Sequence, residues 1–482
     1  MIKLYWLILF LFLAAACFPG CDGPDAAPEA LVYPEISVRS MTFDTLCTSE
    51  VSDPGYFVIH NRFAETLVLP YIGLNDGDGS DFALTVDGIA SNSLENVEIP
   101  PYDSIYVFVG VRLHPLGVDF PVMLHDSIEI LSASGMDYVT LRAWGQDVIA
   151  VEGDIRQDEH WTANRPYLVT GDLKVDSGAV LNIDAGTRVF FKSGTGLFVR
   201  GQLLVNGDAC CPVLFTSIRQ HGIFRTMPGQ WNGIVLYSGS QDNQINYATI
   251  ANAVTGLQVG SVEYDGKASV VLNGMKIMQM SRTGVLALAS DIEASNCLIT
   301  RCGYYAVALL SGGDYNFGQV TIANYRSGAG LAGTTKHSYP ALQITNYVSL
   351  GKEGHESVSY RGKGNVLFRN SIITGDRLSG NELEIDQIGD HSVSYCFDHC
   401  LIQLADTFNT DNAREYIRLL KGVDPVFKNP FGTHDFSLDS LSPAIHAGSL
   451  SAYGREQIDL RGTSRAEAVR PDLGAYEYEA EH

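Results

Sequence analysis

Segment 350–364, LGKEGHESVSYRGKG, concentrates side chains that could remove a proton or hold an anion. β-Elimination of a uronic sugar needs a base and a cation that neutralises the sugar carboxylate. Lys352, His355 and Tyr360 are candidate bases, and Arg361 is a candidate carboxylate clamp. A polar loop between two structural elements has the same composition, so the segment also has a purely structural interpretation.

Exposed aromatic side chains could stack on sugar rings. Trp231 begins a predicted strand after a loop, and Tyr304 and Tyr305 lie at a predicted turn, so these three are candidate glycan-binding residues. Trp231 fits equally well as a core or cap residue. Asp291 and Glu293 lie two residues apart and would share one face of a strand, where two acids usually form a solvated surface.

Metal-ligating residue types occur together in segment 396–400, CFDHC, which contains Cys396, His399 and Cys400. Their spacing matches no standard pair of zinc ligands, and no second ligand pair follows nearby. The sequence therefore predicts no metal site, and nothing in it indicates a cofactor. Nine cysteines are present, and their disulfide connectivity cannot be read from the sequence.

Short apolar bursts between polar or glycine residues dominate the chain from about residue 150. Their last positions recur at intervals of 22–29 residues, as expected for a solenoid. Alternation places the last residue and the one two before it on the same face, and a second short strand follows in several repeats. The last positions are Ile250, Ile277, Ile299, Ile322, Ser349, Ile373 and Ile402.

This pattern predicts a parallel β-helix over residues 150–425, with the isoleucines buried and stacked on successive rungs. The leucine-rich-repeat signature is missing. The phrase at 171–187, GDLKVDSGAVLNIDAGT, resembles the opening coils of right-handed parallel β-helix proteins of the pectate-lyase-like fold.

Residues 35–149 read as about seven short alternating strands with no helical pattern, which predicts a β-sandwich. The order of Val58, Ile59 and Asn61, then segment 101–109, then segment 139–145 resembles the immunoglobulin-like domains related to the ASH family. The cysteine–tryptophan–cysteine core of antibody domains is absent.

The C-terminal region changes pattern again. Segment 411–422, DNAREYIRLLKG, predicts a short helix with Asp411 as its N-cap. Residues 426–482 resemble the choice-of-anchor Q segment of exported β-helix proteins, through 442–448, 459–462 and 472–477. The resemblance implies a cap, in which we expect hydrogen-bonding roles for Asp459, Arg465, Asp472 and Glu477.

The first sixteen residues contain one lysine and an apolar run too short to span a bilayer, followed by three alanines and Cys17. This resembles a bacterial lipoprotein signal peptide (1–16), with Cys17 as the lipidated residue and 17–34 as a tether. Cleavage near Ala16 without lipidation is the alternative, and Cys21 fits a lipidation site poorly.

The net charge of −23 repels a phosphate backbone, so we expect no nucleic-acid partner. The whole architecture resembles Gram-negative lipoproteins of the outer membrane or cell surface. It implies an all-β chain that acts as a binding or scaffold module towards glycans or surface partners. The alternative is a polysaccharide lyase or hydrolase, although the motif sets of polygalacturonases and pectate lyases are missing.

Overall fold

A computed structural model describes residues 32–48, 52, 54–220, 222–261, 266–325, 339–350, 358–376, 380–390, 392–450, 458–465 and 470–480, without the side chains of 44, 45, 349, 350 and 358–360. The chain divides into two compact units. One lies within residues 1–143, and the other comprises 144–482 with segments 44–48 and 115–122. In the described ranges, no helix is long and apolar enough to cross a membrane.

The first unit is built from two five-stranded sheets, in the orders β1-β3-β8-β5-β6 and β2-β10-β9-β4-β7. Burial alternates along strands of both sheets, such as β8 and β9, so each sheet turns one apolar side inward. The predicted β-sandwich is confirmed, with ten strands rather than about seven. The strands are β1 (Glu35–Ile36), β2 (Ser40–Cys47), β3 (Gly55–His60), β4 (Leu67–Leu74), β5 (Phe82–Val86), β6 (Ile89–Ala90), β7 (Ser93–Ile99), β8 (Ser104–Val111), β9 (Val122–Ser132) and β10 (Gly135–Gln146).

The second unit is a parallel β-helix, as predicted. Two short 3-10 turns, Gly77–Gly79 and Gly222–Arg225, are the helical elements of the described chain. The strands of the second unit begin with β11 (Ile149–Ile155), β12 (Glu159–Trp161), β13 (Tyr167–Val175), β14 (Val180–Asp184), β15 (Arg188–Phe191), β16 (Gly196–Val199), β17 (Gln202–Asn206), β18 (Val213–Ser217), β19 (Gly233–Leu236), β20 (Asn243–Asn246), β21 (Ala248–Ala251), β22 (Leu257–Val259), β23 (Ser269–Asn273), β24 (Lys276–Met280) and β25 (Val285–Ser295). They continue with β26 (Leu298–Cys302), β27 (Val307–Gly318), β28 (Thr321–Asn324), β29 (Leu342–Thr345), β30 (Tyr347–Leu350), β31 (Val358–Arg361), β32 (Gly364–Arg369), β33 (Ile372–Gly375), β34 (Leu383–Asp386), β35 (Val393–Asp398), β36 (Leu401–Ile402), β37 (Tyr416–Ile417), β38 (Leu420–Lys421), β39 (Phe427–Asn429) and β40 (Asp435–Leu438).

Each coil contributes one strand to each of three parallel faces. Face A contains β15, β18, β21, β24, β26, β28, β33, β36 and β38. Face B contains β16, β19, β22, the first parts of β25 and β27, β29 and β34. Face C contains β14, β17, β20, β23, the second parts of β25 and β27, β32, β35 and β37.

The isoleucine ladder lies on the inner side of face A, as the sequence predicts. Ile250 pairs with Ile277, Ile277 with Ile299, and Ile299 with Ile322. All four are at most 1% exposed. Stacking like residues at the ~4.8 Å strand spacing makes one continuous apolar core along the solenoid.

Ser349 does not belong to this ladder. Ile322 pairs directly with Ile373, and the strand that contains Ser349 instead pairs antiparallel with β31. The segment NYVS therefore forms part of an antiparallel pair inserted between β29 and β32 rather than a rung. The prediction was wrong because a four-residue burst has the same sequence pattern in a hairpin as in a coil.

In six successive coils, from β21 to β36, the corner before the face-A strand is a residue in the left-handed conformation, three positions before the ladder residue. Asparagine and glycine adopt positive φ most readily, which explains several of the residue types at this corner. The corner residues are Tyr247, Gly274, Asn296, Gln319, Asn370 and His399.

The predicted helix at 411–422 is absent. Tyr416 pairs with Phe397, and Leu420 pairs with Leu401, so the segment continues the pattern of the preceding coil. The rings of Phe397 and Tyr416 stack with centroids 5.8 Å apart. Pairing with the preceding coil stabilises this segment more than helix formation would, because an isolated twelve-residue helix is only marginally stable in water.

The C-terminal segment packs on the outer side of face A. Its apolar residues, including Phe436 and Leu473, form one cluster with the outward side chains of Leu298 and Ile372. The corner residue Asn370 exchanges two hydrogen bonds with the backbone of Ser449, at 2.8 and 3.1 Å. The sequence predicts a cap but not this lateral contact.

Charged residues of the C-terminal segment form the expected hydrogen-bonding network. Asp459 accepts hydrogen bonds from the backbone of Thr463 and Glu477. Buried Arg465 pairs with Glu477 and donates to the amide oxygen of Asn296 at 2.9 Å. The network therefore joins the segment to a corner of the β-helix.

Candidate functional site

A lateral groove of about 560 Å³ crosses face C over five successive coils, from β20 to β32. Parallel register aligns the outward side chains of these strands in columns. One column contains Asp291, Asp314 and Asn365, and a second contains Glu293 and Asn316. The groove therefore displays carboxylate and amide groups on a rigid sheet, with the apolar side chains of Val271 and Leu367 at the two ends of the second column.

Polar contacts connect the first column along the solenoid. Lys267 Nζ lies 2.8 Å from Asp291 Oδ1 and 3.4 Å from Asp314 Oδ2. The Asp314 backbone N–H donates to Asp291 Oδ1 at 3.2 Å, and Asn365 Nδ2 donates to Asp314 Oδ1 at 3.0 Å. Ser394 on the next coil donates to Asn365 Oδ1. These contacts fix the orientation of the carboxylates.

The contacts favour the charged forms of Asp314 and Lys267. Partial burial acts to raise the pKa of Asp314, but the hydrogen bond from Asn365 and the charge of Lys267 outweigh it and hold that pKa below its ordinary value. The hydrogen bond to Asp291 raises the pKa of Lys267. Asp314 is therefore a charged acceptor, and its lowered pKa is the opposite of what a general acid needs.

The groove has an excess of negative charge. Its lining contains one cationic side chain, Arg369, and Lys267 contacts the groove at Asp291. Four carboxylates line it: Asp242, Asp291, Glu293 and Asp314. A ligand that enters meets a surface that accepts hydrogen bonds from hydroxyl or amino groups.

The aromatic side chain in the groove does not offer an open face. Tyr315 is 3% exposed, and its hydroxyl donates to the carbonyl of Gly312 at 2.8 Å. Gly312 and Gly313 have φ of 79° and 122° and form the corner between faces B and C. A Cβ on Gly313 would lie 2.2 Å from the carbonyl oxygen of Ser290, so only glycine fits there.

The candidate catalytic segment is described only in part. Lys352 and His355 lie outside the described residues, as does the side chain of Tyr360. Tyr360 and Arg361 belong to β31, which pairs with β30. Arg361 is exposed and is not among the residues that line the groove. Their catalytic roles stay predictions.

Trp231 is a core residue, which is one of its two sequence-based interpretations. Its ring stacks on Phe191 with centroids 3.9 Å apart, and its indole N–H donates to the carbonyl of Ala251 at 2.8 Å. With 0% exposure, the ring has no surface that a sugar could contact. The glycan-binding interpretation of Trp231 is therefore corrected.

Tyr304 and Tyr305 form a small aromatic cluster with Tyr339. Ring centroids lie 4.8 Å apart for Tyr304 and Tyr339 and 5.2 Å apart for Tyr305 and Tyr339. The Arg282 guanidinium lies 5.6 Å from the Tyr304 ring. Tyr304 is 40% exposed, so it remains a candidate for stacking on a sugar.

Segment 396–400 does not assemble the ligands that its composition suggests. Cys400 is buried in the core, and its thiol donates to the carbonyl of Phe368 at 3.5 Å. His399 Nδ1 lies 2.7 Å from Asp398 Oδ1. In the described ranges, no group of three or more ligand atoms forms here.

The groove itself was missed by sequence reasoning. The sequence shows Asp291 and Glu293 as a pair on one strand. It does not show that Asp314 and Asn365 on later coils line up with Asp291, or that Asn316 lines up with Glu293. Asp314 lies 51 residues before Asn365 because the antiparallel pair is inserted between their strands. The available signal was a repeated pattern: DIE at 291–293, DYN at 314–316 and NVL at 365–367.

Comparison with known families supports the β-helix. A model of the pectate-lyase-like β-helix domain matches residues 153–277. A comparison with curated proteins gives no match.

Three solved structures are similar to parts of the chain. PapD-like domain 7 of human CEP192, an ASH/PapD-like domain, shares 12% identity over 26% of this chain and 91% of its own, with a TM-score of 0.17. The Escherichia coli chaperone DraB shares 5% identity over 24% of this chain and 54% of its own, with a TM-score of 0.16. The catalytic unit of a GH87 α-1,3-glucanase from Streptomyces thermodiastaticus shares 9% identity over 76% of this chain and 88% of its own, with a TM-score of 0.25.

Proposed function

We propose that this chain is a carbohydrate-binding β-helix protein that holds a glycan in the lateral groove of face C. One observation carries the proposal: carboxylate and amide side chains stand in register on successive coils, and hydrogen bonds fix the orientations of those in the first column. Five coils at a ~4.8 Å spacing extend over roughly 19 Å, a length suited to several sugar units of a chain. Sugar hydroxyls donate to such acceptors.

The charge of the groove favours a particular class of glycan. A uronic or sulfated chain would bring anions close to Asp291, Glu293 and Asp314, and like charges in contact weaken binding. We therefore expect neutral or amine-bearing saccharides to bind and uronic chains to be rejected. This distinguishes the proposal from the clamp that the sequence suggested at Arg361.

Glu293→Gln tests the groove with little change of shape. Removing the charge from a hydrogen-bond acceptor should weaken binding of a neutral oligosaccharide about tenfold to a hundredfold. Asp154→Asn is the matched control, because it removes one negative charge from an exposed strand outside face C. Calorimetric titration of the full chain, purified in detergent, gives the affinities. Equal affinities for wild type and E293Q would contradict the groove as the binding site.

A polysaccharide hydrolase or lyase is the second candidate. The observation that favours it is the convergence of acidic and basic groups in one lateral groove. Against it stand the lowered pKa of Asp314 and the commitment of Asp291 to Lys267. Incubation with neutral and uronic polysaccharides, followed by chromatography of released fragments, separates the two functions. Unsaturated products would establish a lyase, and their loss in a triple variant of Lys352, His355 and Tyr360 would assign its base to segment 350–364 rather than to the groove.

The location of the protein is also part of the proposal. The N-terminal sequence supports lipidation at Cys17, a membrane anchor, and exposure on the outer membrane or cell surface. The resemblance of residues 426–482 to choice-of-anchor Q segments is in keeping with export. An anchored protein would hold glycans, or a surface protein that carries them, near the cell.

A further inference from the structure

Two neighbouring cysteines differ from the other described cysteines of the chain. Cys210 and Cys211 are exposed, whereas the remaining five are buried or half-buried. The buried ones are accounted for by packing: the Cys302 thiol, for example, lies in the core 3.4 Å from the carbonyl of Thr300. Packing does not account for two adjacent thiols in solvent.

The loop between β17 and β18 holds this pair in a defined position. Asp208 Oδ1 accepts the backbone N–H groups of Cys210 and Cys211 at 2.9 and 2.8 Å. The carbonyl of Cys211 accepts a hydrogen bond from Gly186 on the preceding coil at 2.8 Å. The backbone that carries both thiols is therefore tied to the rigid β-helix.

The three side chains point their ligand atoms at one another. The two sulfur atoms are 3.0 Å apart. Both sulfurs and a carboxylate oxygen of Asp208 all lie within 4.8 Å of one another. Within the described ranges, this is the one set of three metal-ligand types that converges in this way.

We propose that Asp208, Cys210 and Cys211 bind a thiophilic divalent cation, and that Zn²⁺ is the ion bound in the cell. Two thiolates and one carboxylate are a ligand set that zinc accepts, at ligand distances of about 2.0–2.3 Å. Because the three residues are exposed, a fourth coordination position faces solvent and can hold water or an external ligand. This inference replaces the sequence-based expectation that the chain has no metal site.

A disulfide between the two cysteines is the competing chemistry. Adjacent Cα atoms are about 3.8 Å apart, which is shorter than the roughly 4.4–6.8 Å of ordinary disulfides. A bridge between neighbours is therefore strained and easily reduced. That strain favours the dithiol as the resting form whenever a cation is present.

Titration with Co²⁺ tests the site, because thiolate-to-cobalt charge transfer and the visible bands of a four-coordinate ion report the ligands directly. The full chain, with its thiols reduced, should bind one equivalent with these bands, and Zn²⁺ should displace it. Cys210→Ser and Cys211→Ser should each abolish the charge-transfer band, and Asp208→Asn should weaken binding at least about tenfold. Cys396→Ser, at a half-buried cysteine, is the control and should leave the titration unchanged.

Two results would overturn the proposal. One is a Co²⁺ spectrum without thiolate charge transfer, or one that persists in the C210S/C211S double variant. The other is mass-spectrometric loss of two hydrogens from this peptide in protein kept with excess Zn²⁺ in air, which would make the pair a disulfide. Thermal unfolding of each variant, which should match wild type for an exposed loop, shows that a lost signal is not a folding defect.

Discussion

Replacing Arg465 by methionine should destabilise the β-helix unit more than any surface charge substitution. The Arg465 side chain has no exposed surface, and that of its partner Glu477 is 6% exposed. The guanidinium also donates to Asn296 and to the carbonyl of Gly474, at 2.9 and 3.2 Å. Methionine fills similar space but leaves Glu477 buried without a counter-charge, which costs about 3–5 kcal/mol.

The pH dependence of this loss identifies its cause. Burial, opposed by the Arg465 charge, already raises the pKa of Glu477 to about 7. Without Arg465 the pKa rises further, so the acid becomes neutral more readily on acidification. The deficit of R465M should therefore be larger at about pH 8 than at about pH 5.5.

Urea denaturation followed by circular dichroism measures both effects, with the slope used to check that the transition is unchanged. Arg156→Met is the control: the Arg156 side chain is 74% exposed, and its partners Asp154 and Asp176 lie 3.0 and 3.7 Å away at the surface, so the loss should be small. Equal losses for R465M and R156M, or a deficit independent of pH, would refute the reasoning.

Three further predictions concern the ladder, the buried acid and the N-terminus. Ile299→Ala should lower the free energy of unfolding by about 2–5 kcal/mol, because stacked neighbours on both sides prevent collapse of the cavity. Val271→Ala, on an outward and 41% exposed residue, should change it by less than about 0.5 kcal/mol, and similar losses in urea would contradict the register. In the wild type, the stabilising contribution of Glu477 is present below its unfolded pKa of 4.5 and is lost as pH rises through about 7. Glu477→Gln should flatten that part of the stability profile, and an unchanged profile would exclude Glu477 as its source. Cys17→Ala in a Gram-negative host should leave an unprocessed precursor or release the protein from membranes, as fractionation and mass spectrometry would reveal; unchanged processing would favour Cys21 or plain secretion.

The core of the fold could be predicted because each coil needs an apolar residue at the same inward position. Ile277 and Ile299 occupy equivalent places in neighbouring coils, so a regular interval in the sequence corresponds to a contact in space. Ser349 has the same spacing but no such contact. The segment NYVS could pair with a coil or with a hairpin partner, and the rest of the chain decides which one forms. Local pattern carries no information about that choice.

The candidate groove depended on contacts that local sequence does not encode. Asp314 gains its hydrogen bond from Asn365 and its counter-charge from Lys267, which is 47 residues away in the chain. The covering of face A by the C-terminal segment is a long-range contact too, with Asn296 and Arg465 separated by 169 residues. In both cases the sequence shows the polar residues themselves. Their contacts follow only from the register of the coils and the path of the C-terminal segment.

The most direct test of glycan binding is a crystal structure of the chain with a neutral oligosaccharide that binds in solution. We expect sugar density along face C, with hydroxyl groups within hydrogen-bond distance of Glu293 and Asp314. Density elsewhere on the β-helix, with the groove empty at saturating ligand, would contradict it.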